Sequence, residues 1–250
     1  MKNPFTPVLG LGLVLAIGGL AGAPIPAAGQ EKAPAGKRAA EAAAAVEEAR
    51  VKLYKLSKQP LQPLPGEGWQ PLFDAKTLTG WRATDFAGHG ESHVESGLLL
   101  LESGDPLTGV NWTNDCPKAN YELALEAMKL DGSDFFCGLT FPVGNSWCSL
   151  ILGGWGGGIA GLSSIDGQDA SENETSRYVK FDKDHWYRIR VRVTAEKIEA
   201  WLDGEQIVNL ATKDRRISLR FGEIELSKPL GIAAYETRSA LRGLKLRKLP

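Results

Sequence analysis

Residues 186–193 read WYRIRVRV and alternate strictly: Tyr187, Ile189, Val191 and Val193 point one way, Arg188, Arg190 and Arg192 the other. A period of two is the signature of a β-strand with one apolar face. The stretch after it, KIEAWLDGEQIVNL (197–210), holds two more strand-like runs around Asp203-Gly204, a dipeptide suited to a tight hairpin turn. Upstream, YELALEAM (121–128) puts Tyr121, Leu123, Leu125 and Ala127 on one face and Glu122 and Glu126 on the other. DFFCGLTF (134–141) and SWCSLIL (146–152) flank the turn signal PVGN, and GIAAYE (231–236) and LRGLKLRKL (241–249) close the chain. From Trp69 onward there is almost no helical period. Many short strands with turn signals predict an all-β fold, a two-sheet antiparallel β-sandwich over 66–250, and its roughly 180 residues can enclose one sizeable core.

The N-terminal quarter is of another kind. Residues 1–29 carry one Lys, an apolar run and the small-residue triplets 21–23 and 27–29, the pattern of a secretory signal peptide. Cleavage is expected after Gly29, with Ala23 second because Pro24 would follow it. The mature protein would then be periplasmic or extracellular and would meet the membrane only during export. Residues 30–36 read as a linker and 37–57 as a helix, with a thin seam of Ala42, Val46, Ala49, Leu53 and Leu56. The Pro-rich linker 58–65 ends it. The 29 basic and 30 acidic residues nearly balance, with no long basic block, which argues against a nucleic-acid partner. Three cysteines are too few for a disulfide scaffold; Cys137 and Cys148 would either meet across a hairpin or stay as buried thiols.

Residues 68–81 (GWQPLFDAKTLTGW), 185–207 (HWYRIRVRVTAEKIEAWLDGEQI) and 229–249 (PLGIAAYETRSALRGLKLRKL) together resemble the 3-keto-disaccharide hydrolase domain family, as a divergent member. The resemblance implies a concanavalin-like jelly roll, a carbohydrate partner and cleavage of an oxidised disaccharide. Relatives often carry an acidic residue and a Gln on the strand after the first hairpin and a His-containing segment near the end. Here WCSLIL (147–152) and IAAYETRS (232–239) have neither.

One stretch asks for a site. Residues 153–175 begin GGWGGG and continue with Asp166, Asp169, Glu172 and Glu174. Trp155 among glycines would offer a flat plate to a sugar ring, and Trp112, flanked by polar residues, is a second such plate. Asp166, Asp169 and Glu174 are the candidate catalytic carboxylates. Asp166, Asp169 and Asn173 could supply oxygens to a divalent cation such as calcium, although the spacing is not that of an EF-hand. Glu172 reads as solvated. Arg190, with Arg188 and Arg192, would bind an acidic sugar if its face lined the site, and would form a solvated ladder if it faced outward. A non-catalytic glycan-binding or adhesion module of the cell envelope is the alternative to an enzyme.

Overall fold

The computed structural model describes residues 35–250. The expected signal peptide and most of the first linker lie outside the described residues. The chain divides into two compact units at Val46/Glu47. The described part of the first is exposed helix, the beginning of α1 (Ala35–Ser57). Among the described residues no helix is long and apolar enough to cross a membrane.

In the second unit, fifteen strands follow the end of α1. They are β1 (Gln70–Pro71), β2 (Trp81–Ala83), β3 (Ser92–Glu95), β4 (Leu98–Leu101), β5 (Leu107–Trp112), β6 (Tyr121–Gly132), β7 (Cys137–Val143) and β8 (Ser146–Gly153). Then come β9 (Ile159–Ser163), β10 (Arg177–Tyr178), β11 (Tyr187–Val193), β12 (Lys197–Leu202), β13 (Glu205–Ala211), β14 (Gly231–Tyr235) and β15 (Thr237–Lys248). One sheet runs β13-β12-β11-β6-β15-β4-β3 with β1 also on β15; the other runs β10-β9-β8-β7-β14-β5-β2. Every pairing between named strands is antiparallel. Among the described residues the first strand lies beside the last, Gln70 opposite Leu246.

The core fills the space between the sheets. The apolar faces read from 121–128 and 186–193 both point into it, and Leu139, Phe141, Cys148, Leu150 and Leu162 answer from the facing sheet. Phe136, Phe181 and Tyr187 close one end, with ring centroids 5.0–5.7 Å apart. Cys137 and Cys148 are buried free thiols, and the register sets them opposite Leu152 and Phe141 rather than each other.

The outer face of the eight-stranded sheet differs from both readings of the arginine ladder. Glu122 on β6 is fully buried there and accepts from Arg190 and Arg192, each at 2.7 Å, and from Arg247 on β15. Glu126 pairs with Arg242 at 2.7 Å. A strap, residues 58–69, runs over these pairs and is fixed by them. Arg242 donates to the carbonyl of Gln59 at 2.7 Å, Arg188 to that of Pro63 at 2.6 Å, and the Gln62 amide donates to Glu126 at 2.6 Å. The alternation is thus explained on both sides: apolar side chains make the core, and charged ones hold the strap.

Within the second unit the helical seam is buried at its end. Leu53 is buried and Leu56 half-buried against Leu98, Leu100, Met128 and Trp186, whereas Ala49 is exposed. The last carbonyls of α1 point at cations and donors, with Trp186 Nε1 on Leu56 at 3.1 Å and the Arg242 guanidinium nearby at 3.4 Å. This is the favourable charge for a helix C-terminus.

Candidate functional site

The glycine run 153–158 makes a reversal between β8 and β9, and its backbone explains its composition. Gly153 (φ 83), Trp155 (φ 51), Gly156 (φ 85) and Gly157 (φ 99) are all left-handed. That region costs a residue with a Cβ roughly 1–2 kcal/mol, so glycine is the default there. Gly157 has a second reason: a Cβ would come within 2.9 Å of the Ser133 carbonyl. Trp155 carries the strain, and Asp134 stabilises it. One carboxylate oxygen of Asp134 accepts the Gly156 amide at 2.9 Å, the other the Phe135 amide at 2.8 Å. The indole is held 39 % exposed, beside a cleft.

The cleft, about 550 Å³, lies over the outer face of the seven-stranded sheet. Ser149, Ile151 and Ser163 of β8 and β9 line its floor, and Pro106, Leu107 and Ile224 add apolar surface. Trp155 and Phe135 form one wall, with Tyr235 beside Phe135, ring centroids 5.7 Å apart. The segment 220–224 forms the other wall and brings Arg220, Phe221 and Glu223. Arg220 joins the walls, with its guanidinium 5.9 Å from the Trp155 ring centre and its Nη1 3.1 Å from Asp169. Phe221 is 95 % exposed, a large apolar ring left in water at the rim of the cleft. Such a residue is informative in a way that an exposed polar one is not.

The sequence-predicted residues fall in different places. Trp155 lines the cleft. Asp169 sits behind its wall, accepting from Ser163 Oγ at 3.1 Å and pairing with Arg220. Asp166 does not line it. Asp166 and Gly167 are the two left-handed residues of a tight turn closed by reciprocal 2.9 Å bonds between Ile165 and Gln168. The Asp166 carboxylate accepts the Arg216 amide at 2.7 Å and pairs with Arg215 at 2.7 Å; these two hold its pKa below the usual carboxylate range. Glu174 pairs with the same Arg215. Glu172 is exposed, as expected of a solvated residue.

Asn173 is buried, and its side-chain amide donates to the carbonyls of Leu162 at 2.7 Å and Asp169 at 2.8 Å while its oxygen accepts from Thr175. The trio Asp166, Asp169 and Asn173 therefore does not fit a cation: two members answer different arginines and the third is spent on backbone. Among the described residues no group of three or more His, Cys, Asp or Glu is placed to hold a metal ion.

Trp112 packs on Trp81 of the core at 5.2 Å, with Gly80 against its ring. Arg190 lies on the other sheet, stacked 3.5 Å over Trp201 and paired with Glu122. The three expected sugar contacts, Trp155, Trp112 and Arg190, do not converge. Sequence reasoning missed Asp134, Arg220, Phe221 and Glu223. A signal existed for three of them: in RFGE (220–223) an aromatic stands in a polar, glycine-containing segment with no strand alternation around it.

No curated protein matches the chain in sequence. Among solved structures, the exoplasmic/lumenal domain of VIP36, in a Ca2+/Man3GlcNAc-bound form, is 10% identical, with TM-score 0.52, over 74% of this chain and 91% of that one. A putative glycosyl hydrolase from Parabacteroides distasonis is 14% identical, TM-score 0.47, over 73% of this chain and 95% of that one. The carbohydrate-binding module CBM66 from Bacillus subtilis is 10% identical, TM-score 0.47, over 70% and 99%. The fold is thus a lectin-type jelly roll. Residues 68–235 match the model of the 3-keto-alpha-glucoside-1,2-lyase-like domain, and the chain belongs to that family.

Proposed function

We propose that the cleft beside Trp155 binds a carbohydrate, and that the protein cleaves a 3-keto-glycoside there. The observation that carries this is the lining: aromatic rings on the walls, two serine hydroxyls on the floor, and a carboxylate and a guanidinium on one rim segment. A sugar presents an apolar ring face and a belt of hydroxyls, and such a lining answers both. The likeness in fold to a domain solved with Man3GlcNAc bound and membership of the family support the same reading. The N-terminal pattern supports a periplasmic or extracellular place.

In this chemistry a ketone at C3 acidifies the hydrogen at C2. A base takes that proton, the resulting enolate expels the C1 substituent, whose oxygen takes the proton back from the base and leaves as an alcohol, and water adds to the enone to complete net hydrolysis. The carboxylate placed for the base is Glu223. It lines the cleft, is exposed, and uses one oxygen on the Ala87 amide at 3.2 Å. Arg220 is the cation beside it for the enolate oxygen, and Asp169 positions Arg220. Asp166 and Glu174 are not placed for either role, since both are committed to Arg215 away from the lining.

A second reading is a non-catalytic glycan-binding or adhesion module, favoured by Asp134. Both of its oxygens already accept backbone amides, so Glu223 is the one carboxylate lining the cleft that is left to move a proton. Incubation with a 3-keto-disaccharide, followed by release of free sugar, separates the two. The proposal expects turnover by the unaltered protein and a loss of about a hundredfold or more in Glu223→Gln. Binding without turnover would establish the second reading.

A further inference from the structure

A second cavity, about 390 Å³, opens on the outer face of the eight-stranded sheet, far in the topology from the cleft. Pro63, Leu64 and Pro65 of the strap form one side, and Arg188, Arg190 and Trp201 the other. Its size is at the low end of small-molecule sites, ~300–1,000 Å³.

Positive charge is in excess there. Glu122 is the shared acid of three guanidiniums, those of Arg190, Arg192 and Arg247. Glu199, the next acid on the face, is 3.6 Å from Arg192 and also holds Lys197 at 3.0 Å. Arg188 is half-buried and gives Nη1 to the Pro63 carbonyl at 2.6 Å, and no acidic side chain among the described residues pairs with it. Asp203, at the neighbouring turn, spends Oδ1 on the Arg188 backbone amide at 2.7 Å. A half-buried guanidinium with free N–H groups, beside another that shares its acid, is the donor set for a carboxylate. The prolines and the part of the Trp201 indole that Arg190 leaves uncovered supply apolar surface next to it.

We infer that this cavity is a second binding site, and that its ligand is a small sugar acid whose carboxylate meets Arg188 and Arg190 while its ring lies between the strap and Trp201. This site stands independently of the cleft's chemistry.

The test is calorimetric titration of the full chain with D-glucuronate and with neutral D-glucose at low salt. Glucuronate is expected to bind, and glucose to bind at least tenfold more weakly. Arg188→Ala should weaken glucuronate about tenfold or more, the worth of one charged hydrogen bond. Arg188→Lys, which keeps the charge and loses the fork, should fall between the two and serves if the alanine variant does not fold. Equal affinity for glucose, no change in Arg188→Ala with circular dichroism unchanged, or loss of glucuronate binding in Trp155→Ala instead would each overturn the inference.

Discussion

Glu122→Gln is expected to destabilise the domain without touching the cleft. Glu122 is fully buried and takes hydrogen bonds from three arginines. Gln keeps the shape and one acceptor oxygen, but its NH2 would face a guanidinium donor, and the charge is gone. Breaking a buried ion pair costs about 3–5 kcal/mol. The low end applies here, because Arg192 is 33 % exposed and retains Glu199. About 3 kcal/mol in a domain of this size lowers Tm by roughly 6–12 °C. The pH dependence carries a sign. Burial pushes the Glu122 carboxyl up, but the hydrogen bonds from Arg247 and Arg192 and the charge of Arg190 outweigh it, and the net pKa is lowered. A depressed pKa contributes stability that is present above the unfolded value, about 4.3, and lost as pH falls through the lower folded value. Thermal unfolding by near-UV circular dichroism should therefore show a wide gap between the two proteins at pH 7 that closes below about pH 4. A gap under about 2 °C at pH 7, or one that persists unchanged into acid, would refute the reasoning.

Arg242→Ala should cost about 3–5 kcal/mol, measured by denaturant unfolding, because it leaves Glu126 buried without its cation and frees the strap and the helix end. Burial pushes the thiols of Cys137 and Cys148 up to about 12, so native protein at pH 8 should resist iodoacetamide at both, with labelling by mass spectrometry appearing only in denaturant. Asp166→Asn should leave carbohydrate affinity unchanged by calorimetry, since Asp166 serves its own turn and Arg215; a fall in affinity would return it to the site.

The strands were readable because one physical rule, a buried face on every second residue, governs each of them locally. WYRIRVRV and YELALEAM needed no partner to be recognised, and Asp203-Gly204 marks a turn by its own backbone preference. The arginine face was harder, because what covers it is a segment some 125 residues earlier, and the strap 58–69 looks like a linker until Arg188 and Arg242 are seen to hold it. The site was half legible. Trp155 stands out among glycines whose left-handed backbone demands them. The acidic run after it looked like a cluster because its answering charges, Arg215 and Arg220, lie about fifty residues on. Trp112 misled for a related reason: its polar neighbours in sequence say nothing of Trp81, which it meets across the β2–β5 pair.

The proposed function turns on a sugar stacking on Trp155 in the cleft. Its most direct measurement is calorimetric binding of a 3-keto-disaccharide to the Glu223→Gln protein, with and without Trp155→Ala, folding being checked by circular dichroism. Trp155→Ala is expected to weaken binding by about 1–3 kcal/mol, roughly 5- to 150-fold, with the fold intact, because the indole is already 39 % exposed and little core is lost. Equal affinity in the two proteins, or unfolding on loss of the indole, would contradict it.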